Sequence, residues 1–291
     1  MEGIFCQNFA SSREHWTPCR FASCAKCYRA SGPFQFPVSW AFNDESEYYR
    51  RRREDEDKYL VARKLIEAEW VDPDTDDDRR RLLTMTAGYM ASTYAYSLRG
   101  NEGFWVDARR LVDNIQIGKN DSRYGPHVCV SLLGRFKGED GDRMHVFPLS
   151  NITKSGIRVR VWLERVVRTI QEEGKDNCPA FCDKEGFQLT ESVVEGVFQP
   201  FLEIIQSKEC YGDMIPKGIN VKESYKCGRS FRRGAENTAL NNGVKRSTIA
   251  FVHRWGRYET SRGDQPGFSM IEHYAAGEAT RPLQLSFSAN V

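Results

Sequence analysis

Cys227-Gly228-Arg229-Ser230-Phe231-Arg232-Arg233-Gly234-Ala235 is the stretch from which the rest of the chain is best read. Arg229 and Arg232 stand three apart, so on a helix they share one face. A helix is expected here at about 229–241, stopped by Gly243. The stretch lies in the most basic part of the chain. Residues 221–262 hold ten Lys/Arg against three Glu, a net +7, and since the whole chain is +2 the remainder sums to −5. A basic segment in an otherwise slightly acidic chain implies a local anionic partner, most commonly nucleic acid. Arg233, Lys245, Arg246, Arg254 and Arg257 are the residues expected to contact DNA phosphates.

Outward from this box, the 291 residues suffice for one large domain or two modest ones, in the composition range of a globular protein. No run approaches 18 apolar residues, and Met1-Glu2-Gly3-Ile4-Phe5-Cys6 lacks the basic and apolar regions of a secretory signal, so no membrane is expected and an intracellular location is. Nine cysteines, four of them in the first 27 residues, suit reduced thiols better than a disulfide framework. Among these, Cys19, Cys24 and Cys27 with His15 supply four N/S donors, a candidate zinc set, with unligated thiols as the other reading.

Three segments are expected: an irregular cysteine-containing N-terminus with a charged connector at 1–78, a main domain at 79–281, and a tail at 282–291. The first break is marked by Asp72-Pro73-Asp74-Thr75-Asp76-Asp77-Asp78, which joins a helix-breaking proline to an acidic run. Arg50-Arg51-Arg52-Arg53 before it reads as a solvated connector, with a nuclear signal as the alternative. Leu82, Leu83, Met85, Tyr89, Met90, Thr93, Tyr94 and Leu98 follow helical spacing, ended by Gly100. One helix with Phe104, Trp105, Ala108, Leu111, Val112 and Ile115 on its apolar face is expected next. A hairpin of 127–136 and 144–149 follows, then helices at 157–170 and 193–205, the latter opened by the capping box Ser192-Val193-Val194-Glu195. Short helices close the domain at about 229–241, at 247–255 and around Tyr274, so the fold class is mainly α with a small antiparallel β-hairpin or sheet.

Breaking and rejoining a phosphodiester without a metal needs a covalent nucleophile, cations for the pentavalent phosphate and an acid for the leaving hydroxyl. The chain offers such groups in order. Arg99, in Leu98-Arg99-Gly100-Asn101-Glu102, stands at a break between helices; Lys137, in Gly134-Arg135-Phe136-Lys137-Gly138, at a hairpin turn; Arg229 and Arg232 on one helix face. Trp255 follows in His253-Arg254-Trp255, and Tyr274 in Met270-Ile271-Glu272-His273-Tyr274-Ala275. Over roughly residues 80–280, this set resembles the catalytic domain of tyrosine recombinases (phage integrases), in particular those of DIRS- and Crypton-type eukaryotic mobile elements.

The resemblance implies DNA recombination or integration in the nucleus, by a homo-oligomer on paired duplex sites and with no catalytic cofactor. Tyr274 would attack the scissile phosphate to form a 3′-phosphotyrosyl link. Arg99 and Arg232 would clamp the non-bridging oxygens with planar forks. Lys137 would protonate the departing 5′-hydroxyl, and Trp255 would pack against the site. Arg229 stands where the family's box usually has histidine, and arginine does not give up a proton near neutral pH. The family's separate DNA-clasping helical domain has no evident counterpart in residues 1–75. These departures leave a second reading open, an inactive, transposon-derived protein that still binds DNA.

Overall fold

The structure, a computed structural model, describes residues 61–134, 142–211, 214–252 and 277–291. The chain divides into compact units Met1–Asp55 and Glu56–Val291, and all described residues belong to the second. Among its described residues that unit is mainly helical, with one small antiparallel sheet.

Its centre is helix α2 (Asp77–Tyr96), which follows a helix, α1, over 61–71. From Leu83 onward every residue of α2 is buried, because other elements cover it on all sides; a helix without a polar face belongs inside. Asp76 caps its start, accepting from the Arg79 N–H at 2.7 Å, and Asp77 and Asp78 add favourable charge in the first turn. Its end is set by Ser97, whose φ of 56° makes it the one non-glycine residue with positive φ among the described residues. The N–H of Leu98 then reaches back to the Thr93 carbonyl at 2.9 Å, closing the helix in a Schellman-type turn.

Beyond the turn come α3 (Gly100–Gly103) and α4 (Ala108–Asn114). The sequence predicts one helix here. Two form because Val106 bridges to Leu132 and Asp107 to Pro179, and Asp107 then caps α4 by accepting from Arg110 N–H at 2.8 Å. Strands β1 (His127–Gly134) and β2 (Arg143–Ser150) pair from His127↔Ser150 to Gly134↔Arg143.

Helix α5 (Val159–Glu173) buries Trp162, Leu163, Val166, Val167 and Ile170. It lies so close to α2 that a Cβ on Gly88 would sit 2.5 Å from Val166 Cγ2. Arg81 closes that helix pair at one end, donating to Glu173 at 2.6 and 3.0 Å and to the carbonyls of Cys182 and Asp183. Helix α6 (Glu191–Ser207) is capped by Thr190, whose hydroxyl accepts from Val193 N–H at 3.4 Å. The expected capping box at Ser192 therefore sits two residues too late, and its Glu195 faces a different helix. After the short α7 (Val221–Ser224) come α8 (Cys227–Asn241), α9 (Arg246–Val252) and α10 (Gly277–Asn290), with Gly243 at φ +80° between α8 and α9.

Two segments read from sequence as peripheral are built into this core. Ala62 and Ile66 of α1 are buried, although the main domain was expected to begin at 79. The last ten residues were expected as a tail. Instead, all but the last of them lie in α10, Phe287 and Val291 are fully buried, and Ser288 Oγ accepts from Ser150 N–H at 2.8 Å beside β2. No helix among the described residues is long and apolar enough to cross a membrane.

Candidate nucleic-acid interface

The two arginine boxes lie 133 positions apart in sequence, and the fold places their backbones in contact. Arg99 is the N-cap residue of α3, extended at φ −68° and ψ 152°. The next residue, Gly100, faces Gly228 in the first turn of α8 so closely that a Cβ on Gly100 would lie 2.4 Å from Gly228 Cα. Only a glycine at position 100 permits this approach. Ser97 Oγ adds a hydrogen bond of 3.3 Å to the Arg232 carbonyl, fixing the turn against α8.

The side chains follow from these anchors. Arg99 donates from Nη1 to Glu102 Oε1 at 2.7 Å, and its backbone N–H donates to Glu102 Oε2 at 2.9 Å. Glu102 is buried, whereas the Arg99 side chain keeps 37% of its surface exposed, so a fixed carboxylate orients a cation that still faces solvent. On α8 the apolar side is Phe231, Ala235, Thr238 and Ala239, all buried. Arg232 is partly buried, and Arg229 and Arg233 are exposed. Lys245 and Arg246, after the Gly243 turn, are exposed as well. Arginine forks match phosphate oxygens in geometry, and the cations of one such surface act additively on a polyanion.

Behind the junction lies a group that the sequence reading did not assemble. Cys227 is buried; its backbone N–H donates to Glu195 Oε1 at 3.0 Å, and Lys226 Nζ pairs with Glu195 Oε2 at 3.1 Å. Burial, then the charges of Glu191 and Glu195, push the Cys227 thiol up to about 12, so it stays protonated at neutral pH. The Tyr89 phenol is raised too, first by burial and then by Cys227, and donates to the Gly100 carbonyl at 2.8 Å. Tyr89 thus supports the Arg99 turn from below. The signal in the sequence was Glu191 and Glu195 at i and i+4 on one helix face. Glu191, Glu195 and Cys227 place donor atoms within 4.8 Å of one another, the one such set among the described residues. A thiol held protonated is a poor metal ligand near neutral pH.

Lys137, Trp255, Tyr274, Arg254 and Arg257 lie outside the described residues, as do His15, Cys19, Cys24 and Cys27. Strands β1 and β2 are described up to Gly134 and from Arg143. His127 and His145, on the two strands, are buried; His127 Nδ1 lies 2.9 Å from the Gly125 carbonyl and His145 Nε2 3.3 Å from the Gly134 carbonyl. Compared with protein-family models, with curated proteins and with solved structures, the chain matches none.

Proposed function

We propose that the chain is a DNA breaking and rejoining protein of the tyrosine recombinase type, in which Arg99 and Arg232 grip one scissile phosphate. The observation that carries this reading is the contact of Gly100 with Gly228, which sets the Arg99 turn against the helix of Arg229 and Arg232. Two cations from distant boxes are what a single pentavalent phosphate requires. Tyr274 is the proposed nucleophile, Lys137 the acid for the leaving hydroxyl and Trp255 a packing partner. Arg233, Lys245, Arg246, Arg254 and Arg257 are proposed to hold flanking phosphates. The setting is the nucleus, with a homo-oligomer on duplex DNA.

One observation favours a second reading. Arg229 is exposed beside the candidate phosphate site, where proton transfer would need a histidine. In that reading the same surface binds DNA without cleaving it. Trapping on a randomised pool of nicked duplexes separates the two, because a nick beside the scissile bond stops cleavage from reversing. A covalent protein–DNA band that is lost in Tyr274→Phe establishes the enzyme. Duplex binding with no covalent band across the pool leaves the binding protein.

A further inference from the structure

A second basic face lies on α1 and α5, helices other than those that carry Arg99 and Arg232. Arg63 and Lys64 come from α1; Arg158, Arg165 and Arg168 come from the start and outer side of α5. Lys64, Arg158 and Arg168 are exposed. Glu67 is the carboxylate that answers this group, paired with Arg158 and, at 3.9 Å, with Arg63. Other acids of these helices are engaged elsewhere: Glu69 by Arg79 at 2.5 Å, Glu164 by Arg160 at 3.5 Å, and Glu173 by Arg81 at 2.6 Å. Glu172, one turn beyond Arg168, forms no ion pair among the described residues, and neither do Lys64, Arg165 or Arg168.

The arrangement is rigid at its centre. The Arg165 guanidinium carbon sits 3.8 Å from the Trp70 ring centroid and 4.4 Å from that of Trp162. Trp162 is 1% exposed, and Trp70 Nε1 donates to Thr84 Oγ1 at 2.8 Å, so both rings are fixed and hold the cation between them. Burial holds Arg63 and Arg165 below the usual arginine range; Glu67 opposes the shift, while Arg158 near both and Arg168 near Arg165 add to it. Both arginines remain charged in water at neutral pH. Among the described residues, folding thus gathers like charges around one ion-paired carboxylate, Glu67, an arrangement that repels itself until an anion arrives.

We infer that this α1/α5 face is a second contact surface for the phosphate backbone of duplex nucleic acid. Exposed cations on two neighbouring helices, the Lys64 ammonium and the forks of Arg158 and Arg168, fit a repeating row of phosphates, and an arginine already held against two rings loses little freedom on binding. Among the described residues, no exposed aromatic ring stands beside these cations to enter a lipid interface, since Trp162 is buried and Trp70 lies partly buried against Arg165. The inference goes beyond the proposed strand-exchange site and is independent of it.

The test compares the full chain with its Lys64→Gln/Arg158→Gln/Arg168→Gln variant, binding a duplex of arbitrary sequence between 50 and 200 mM salt. Each lost phosphate contact makes the plot of log K against log salt shallower by about 0.9, so three contacts remove about 2.7. Over that fourfold range the parent then loses about 40-fold more affinity than the variant. Lys64→Gln/Arg168→Gln, which removes no ion pair, should change the slope by about 1.8 even if the triple variant folds poorly. Parallel plots for parent and double variant overturn the inference, as does a parent that binds polyglutamate as tightly as duplex. Arg232→Ala serves as the separate arm. If that change leaves affinity intact while the α1/α5 variants lower the slope, the strand-exchange site fails and this face stands.

Discussion

Replacing Gly100 by alanine should drive apart the two arginine boxes. The new Cβ would lie 2.4 Å from Gly228 Cα, 2.6 Å from Glu191 Oε1 and 3.0 Å from Gly228 N. Glu191 can swing away, but backbone cannot, and ordinary contact begins near 3.4 Å, so α3 and α8 must part by about 1 Å. Overpacking of this kind costs about 1–3 kcal/mol. In a domain of this size 1 kcal/mol moves Tm by about 2–4 °C, so a cost of about 2 kcal/mol lowers it by about 4–8 °C. Gly228→Ala is the control. Its Cβ meets the Glu191 carboxylate alone, at 3.1–3.4 Å, the far end of a flexible side chain, and the cost should stay within about 0.5 kcal/mol. Thermal melts and duplex binding of the two variants decide the matter: Gly100→Ala should lose both stability and affinity, Gly228→Ala neither. Equal behaviour of the two, or the reverse order, would refute the claimed backbone contact.

Three further outcomes follow from single side chains. Arg81→Ala leaves Glu173 with Lys175 as its remaining partner, at 3.3 Å, and opens the α2/α5 end, at a cost on the order of 3 kcal/mol, measured by urea titration. Arg81 and Lys175 outweigh burial and hold the Glu173 carboxyl below its usual range, so its contribution is complete above the unfolded carboxyl value of about 4.3 and fades as pH falls through the lower folded value. Acid titration should show that loss in the parent and a smaller one, left by Lys175, in Arg81→Ala. Cys227, held near 12, presents only about one thiolate in 10⁴ at pH 8, so mass spectrometry after brief alkylation should find exposed Cys210 modified and Cys227 intact. Tyr89→Phe removes the hydroxyl under the Gly100 carbonyl and should cost about 1 kcal/mol, read as a fall in Tm with the helical signal unchanged.

Much of the scaffold could be read from local pattern. The α8 box, its glycine stop, the β1/β2 hairpin and the buried α2 each carry their signal within one window of sequence. Misreadings arose where tertiary contact overruled that window. Phe104 to Ile115 has the spacing of one helix, yet β1 takes Val106 into a bridge and breaks it. Ser192-Val193-Val194-Glu195 has the letters of a capping box, but Thr190 begins the helix earlier and leaves Glu195 to Lys226 and Cys227. Residues 282–291, expected as a tail, pack beside β2, far away in sequence, a contact that no local window shows. For the site, the sequence supplied the order of Arg99, Arg229 and Arg232. It held no sign that Gly100 and Gly228 touch, since a glycine pair declares itself only once two backbones meet.

The central claim, that Arg99 and Arg232 act on one phosphate, is tested most directly by a double-mutant cycle on duplex binding with Arg99→Ala, Arg232→Ala and both together. Each single change should cost about 1.5–3 kcal/mol, the range for hydrogen bonds to charged groups. A shared phosphate makes the double variant cost less than the sum of the two, with a coupling of at least about 0.5 kcal/mol. Additivity within about 0.3 kcal/mol would mean that the two arginines meet separate phosphates or none, and would contradict the account.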